Sequence, residues 1–188
     1  MKKLITTTLI IIFLVSTAMS QVFDGVSISG DFNTALQKFK SKGYVVEETF
    51  PEGAILSGKV ASTKIEVFLF KTPKTHKVFK ASVYLPKKDN WSDLKYQFDS
   101  YHNLFLEKYG KTSDRFQFFS SPYYDGDGYE MQAVEKEKCT YSSYWSNLDG
   151  ASYSVEITKY RQVKITYEND ELFKLKDKEA SDIKSQIF

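Results

Sequence analysis

The feature that most constrains this chain is a change of hydrophobic period that occurs twice, each time just after a glycine. Phe32, Ala35, Leu36 and Phe39 recur at helical spacing, and Gly43 stands where a left-handed C-terminal residue is wanted. From Tyr44 onward, apolar and polar residues alternate instead. The pattern then begins again: Trp91, Leu94, Phe98, Tyr101 and Phe105 keep a three-four spacing, Gly110 follows, and alternation resumes at Arg115. A helix with one apolar stripe and a sheet with one apolar face each need the other to bury it. The pattern predicts an α+β fold in a single domain, residues 21–188. Its halves, about 25–86 and 90–168, are two tandem units of one helix followed by antiparallel strands, with the helices packed on one sheet face.

The predicted helices are Asp31–Lys42, capped by Ser29 or Asp31, and Trp91–Tyr109, capped by Asn90 with Asp93 in the first turn. The predicted strands of the first half are Tyr44–Phe50, Ala54–Val60, Lys64–Phe70 and Lys77–Leu85. Those of the second are Arg115–Ser120, Glu130–Lys138, Thr140–Ser146, Ser152–Tyr160 and Gln162–Glu168. A hairpin from about Tyr123 to Lys138 reads as an insertion in the second half. The closing hairpins of the two halves look alike, Thr63-Lys64-Ile65-Glu66-Val67-Phe68 against Tyr153-Ser154-Val155-Glu156-Ile157-Thr158.

The first twenty residues carry an address. Lys2 and Lys3 precede an apolar run from Leu4 to Val15, and Ala18-Met19-Ser20 offers small residues for a signal peptidase, so cleavage before Gln21 is expected. The run is shorter than the roughly 20 residues a membrane span needs. No cysteine follows the cleavage point closely enough to be lipidated, so the expected product has no membrane anchor and is periplasmic or secreted. Removing residues 1–20 takes two lysines from 26 basic residues and leaves 24, against 24 acidic ones. A neutral product has no global charge footprint for nucleic acid or anionic lipid. Cys139 is the only cysteine, so burial and hydrogen bonding, not an intrachain disulfide, must hold the fold. It reads as a buried small hydrophobe or as a free or intermolecular thiol.

Several phrases resemble a group of secreted bacterial proteins of unassigned function: Phe23-Asp24-Gly25-Val26-Ser27-Ile28-Ser29-Gly30, Lys42-Gly43-Tyr44, Leu56-Ser57-Gly58-Lys59-Val60, Lys108-Tyr109-Gly110 and Gly126-Asp127-Gly128-Tyr129-Glu130. The twofold helix-plus-sheet order is similar to the β-lactamase-inhibitor-protein-like architecture, and to small outer-membrane assembly lipoproteins. The resemblance implies an architecture and supplies no catalytic residues.

The residues themselves favour binding over catalysis. His76 lies in a basic turn and His102 in the second helix, and no local signature of a thiol dyad surrounds Cys139. Asp125-Gly126-Asp127-Gly128, with Glu130, lacks the third ligand and distal glutamate of a calcium loop and reads as a turn. Lys71, Lys74, Lys77 and Lys80, continued by Lys87 and Lys88, read as a solvated strand edge. No cofactor and no metal are expected. Aromatic content is high, with 13 Tyr, 15 Phe and 2 Trp. Alternation assigns Ile65, Val67 and Leu69 to one side of a strand and Phe68 and Phe70 to the other. It likewise groups Phe79, Ala81, Val83 and Leu85 against Tyr84. Phe68, Phe70, Tyr84, Tyr144 and Tyr160 are therefore the candidate interaction face of an exported, non-enzymatic binding protein for an envelope or extracellular protein. The alternatives are an envelope enzyme whose site converges from scattered carboxylates and tyrosines, and an envelope structural component.

Overall fold

A computed structural model describes residues 21–187, and the predicted signal segment lies outside the described residues. In chain order the elements are β1 (Val22–Phe23), β2 (Val26–Ser27), α1 (Phe32–Ser41), β3 (Val45–Phe50), β4 (Gly53–Val60), β5 (Thr63–Lys71) and β6 (Val78–Tyr84). They continue with α2 (Trp91–Tyr109), β7 (Asp114–Phe119), α3 (Glu130–Glu135), β8 (Cys139–Leu148), β9 (Ala151–Thr158), β10 (Gln162–Asn169) and α4 (Asp170–Ile187). The fold is α+β. Among the described residues, four helices accompany a short β1–β2 hairpin and one antiparallel sheet of eight strands, ordered β3-β4-β5-β6-β10-β9-β8-β7.

The caps are those the sequence indicates. Asp31 accepts a hydrogen bond from the Thr34 amide at 2.9 Å, and Asn90 accepts one from Asp93 at 2.8 Å. Each satisfies an amide that the first helical turn leaves without a partner. Gly43 and Gly110 take positive φ at the helix ends, where a side chain would be strained. α1 and α2 pack on one face of the sheet. Their Phe39, Leu94, Phe98 and Phe105 meet Leu56, Val67, Leu69, Val83, Val155, Val163 and Ile165 in a continuous buried core. Trp145 is fully buried there, its indole N–H donating to the Gly110 carbonyl at 2.8 Å. His102 belongs to this core as well, stacked on Phe98 with rings 11° from parallel. Gly58 has no Cβ because the Tyr44 ring lies where one would stand, 2.3 Å away.

The structure corrects four expectations. Glu130–Lys138 is not a strand and no hairpin is inserted; a turn delivers the chain into α3. Asp127 accepts hydrogen bonds from the amides of Tyr124 and Tyr129, and Glu130 from Gly126, so these carboxylates close their own loop. The two predicted helices share one sheet face, but the other face is not free of helix: α4, begun by Asn169 accepting from the Leu172 amide, lies there. Phe79 leaves the row of Ala81 and Val83. The register slips between Phe70, paired with Lys80, and Lys71, paired with Val78. The slip makes Phe79 the extra residue of a bulge, and its ring turns to Phe70 and to Phe173 of α4. The lysine cluster flanks the turn joining two interior strands, β5 and β6, rather than a sheet edge. Lys74 faces Asp182 at 3.8 Å, Lys80 pairs with Glu168 at 3.1 Å, and Lys71 lies over the Phe32 ring.

Candidate functional site: the open face of the sheet

Strand alternation decides what the second face carries. With Ile65, Val67 and Leu69 buried against the helices, Phe68 and Phe70 of β5 point away from them. Register then extends the face across the sheet. Phe68 pairs with Ser82, Ser82 with Thr166, Thr166 with Ser154, and Ser154 with Tyr144. This row runs perpendicular to the strands, with an aromatic ring at each end and three small hydroxyl residues between. Four strand spacings separate the ends, roughly 19 Å.

The neighbouring rows form the walls. On one side Tyr84, Lys164 and Glu156 are register partners in sequence, and on the other Lys80 is paired with Glu168. Lys164 and Glu156 lie 3.1 Å apart, as do Lys80 and Glu168. Opposite charges directly across strands attract and restrain these long side chains. Ser82, Thr166 and Ser154 are buried beneath them. A depression of about 310 Å³ lies over this floor and reaches Tyr144. A second, about 570 Å³, opens beside Tyr84 toward Pro86 and Gly43.

Four of the five expected residues share this face and one does not. Phe68 and Tyr84 touch, with ring centroids 5.0 Å apart, and Tyr144 meets Phe116 of β7 at 6.3 Å. Phe70 stands among Phe50 and Phe79, where α4 lies over the sheet. Tyr160 is displaced from the row. It sits in the β9–β10 turn, whose short loop ends the strand at Thr158. Its exposed ring lines a separate depression of about 370 Å³ that Tyr144 also borders.

Sequence reasoning missed the floor, the walls and the helix that covers one end. Alternation alone places Lys80, Ser82 and Tyr84 together, and Lys164, Thr166 and Glu168 together, but it cannot say which strands are neighbours. α4 had a readable signal, since Leu172, Phe173, Ala180 and Ile183 fall on one side of a helix. The helix is fastened by Glu179, which is buried in a chain segment otherwise rich in exposed charge. Glu179 accepts hydrogen bonds from the amides of Lys74 (2.6 Å) and Thr75 (3.2 Å) and from the Thr75 hydroxyl (2.6 Å). Burial opposes its ionisation, but these bonds and the Lys74 charge prevail and hold its carboxyl below the ordinary value.

Other groups with displaced proton affinities belong to the packed core on the opposite side of the sheet. Burial pushes Tyr141 and Tyr153 up to about 12, with neighbouring acids or Tyr109 adding to the effect. Burial also raises the Cys139 thiol to about 12, helped by Asp125 and Glu130. His102 moves the other way, lowered first by burial and then by Arg115. Among the described residues, no group of three or more His, Cys, Asp or Glu side chains is placed to hold a metal ion. No helix among them is long and apolar enough to cross a membrane. No protein-family model, no curated protein and no solved structure matches this chain.

Proposed function

We propose that this chain is an exported, non-enzymatic binding protein that recognises an envelope or extracellular protein on the open face of its sheet. The observation that carries the reading is the row from Phe68 to Tyr144, aromatic at both ends and floored by buried hydroxyls. Aromatic anchors around small polar groups suit a protein surface, because rings bring large contact area at small entropic cost. Glu156 and Glu168 on this face are already paired with lysines, and burial moves the displaced tyrosines away from neutral pH, which disfavours general acid–base work. Export by a cleaved signal peptide ending at Ser20 belongs to the same reading. So does a two-unit architecture similar to β-lactamase-inhibitor-protein-like proteins. Support for the two units comes from the order of elements: α1 precedes β3 to β6, α2 precedes β7 to β10, and the last strands, β6 and β10, are neighbours.

The test is a double substitution, Phe68→Ala with Tyr84→Ala, assayed by capture of the partner from the native envelope fraction. Loss of two anchors should weaken capture by about 30-fold, equivalent to about 2 kcal/mol. The rings stabilise each other by about 1 kcal/mol, so the melting temperature should fall by only a few degrees. Unfolding of the variant, or capture equal to wild type, would remove the proposed face.

A further inference from the structure

The two edges of the eight-stranded sheet are unlike. β3 is blunted by a register shift between Val46 and Glu48 and by the exposed acids Glu47 and Glu48. β7, Asp-Arg-Phe-Gln-Phe-Phe, has an unbroken register from Asp114 to Phe119 and carries its charges, Asp114 and Arg115, at one end only. Phe116 and Phe118 are 45% and 48% exposed, an unusual load of apolar surface for an unprotected edge. From this edge we infer that β7 pairs antiparallel with β7 of a second copy, joining two sheets into one about a twofold axis at Gln117.

The backbone phase supports that register. The Ser120 amide donates to the Lys138 carbonyl at 2.7 Å, continuing the ladder in which Phe119 is opposite Cys139. Hydrogen-bonded residues alternate along an antiparallel strand. Ser120, Phe118 and Phe116 therefore turn their amides and carbonyls to β8, and Phe119, Gln117 and Arg115 turn theirs to the open edge. An antiparallel copy centred on Gln117 pairs these outward groups in full: Gln117 with its own copy, and Arg115 with Phe119 in both directions. The same register sets Phe116 against Phe118 of the second copy in the close, non-hydrogen-bonded positions, on the sheet face that carries Tyr144. The contact is self-complementary, and the blunted β3 edge stops association at two chains.

The test uses the full chain, expressed from its complete sequence and isolated as the cell processes it. Sedimentation equilibrium should give a dimer at micromolar concentration. Phe116→Lys with Phe118→Lys places like charges together and should raise the dissociation midpoint by at least about tenfold. Phe116→Lys with Phe118→Glu places opposite charges together and should restore the dimer in low salt. Gln117→Cys should form an intermolecular disulfide on mild oxidation, since hydrogen-bonded antiparallel partners lie about 5.5 Å apart at Cα. A Tyr96→Cys control, on the exposed side of α2, should not. A monomeric wild type overturns the proposal. So does a dimer that is unaffected by the paired lysines and yields no Gln117→Cys disulfide. Equal disruption by both charge variants, in folded protein, overturns the register.

Discussion

Replacing Glu179 with alanine should detach α4 while leaving the rest of the fold standing. Three hydrogen bonds to this carboxylate join the middle of α4 to the Lys74–Thr75 turn. A hydrogen bond to a charged group contributes about 1.5–3 kcal/mol net. The three share one acceptor, and the freed amides can rehydrate once the helix lifts, so their effects do not add in full. A loss of about 3 kcal/mol is the reasonable figure, which is about a 100-fold rise in the open population. The other ties are weaker. The Lys74–Asp182 pair is half-exposed at 3.8 Å and contributes less than about 1 kcal/mol, leaving the Phe173 ring on Phe79 and the Lys176 ammonium over both. Hydrogen exchange should show amides of residues 174–186 losing about two decades of protection while those of β9 and β10 keep theirs. Glu179→Gln, which retains a neutral acceptor, should fall between. Because the folded carboxyl lies below its ordinary value of 4.5, the latch holds above that pH and is lost as pH falls through the folded value. Unchanged protection in α4, or an equal loss throughout the sheet, would refute the reasoning.

Other expected outcomes follow from single contacts. His102 is buried with an unpartnered Nδ1 and its affinity for protons is lowered. The unfolded chain therefore binds a proton first as pH drops below 6.5, and stability falls until the folded value is reached. His102→Leu should flatten that limb below pH 6.5 in urea unfolding, and an unchanged limb would assign it to other groups. Gly53→Ala would put a Cβ 2.0 Å from the Leu69 carbonyl oxygen, backbone that cannot yield, so a loss of about 3 kcal/mol or more is expected by urea unfolding. A variant as stable as wild type would contradict that packing. Cys139, buried with its thiol pushed up to about 12, should resist alkylation at neutral pH until the protein is denatured. Rapid labelling of folded protein would place it at the surface.

Period was the readable part of this fold, and adjacency was not. The strong amphipathic spacing of Trp91 to Phe105 located α2 to the residue, and the alternating runs located the strands that became β3 to β10. Residues 130–138 misled because a six-residue helix spans fewer than two turns, too short for period to separate from alternation. Phe79 misled because a bulge flips every side chain beyond it, and its cause lies in the pairing of β5 with β6. For the open face, alternation supplied Phe68, Phe70, Tyr84 and Tyr144. The hydroxyl floor needed the strand order β6-β10-β9-β8, which sets residues 82, 166, 154 and 144 in one row. Tyr160 was placed a turn too far along β9, since the strand ends at Thr158.

Site-specific photocrosslinking in the living cell tests the recognition face most directly. A photoreactive phenylalanine analogue at Tyr84 or Tyr144 stands on the proposed face, and one at Tyr96 stands on the solvent side of α2, where the side chain is 75% exposed. The account predicts one discrete adduct of the same protein from Tyr84 and Tyr144, and none from Tyr96. Adducts of equal yield from Tyr96, or none from the sheet positions when the chain is at its native level, would contradict it.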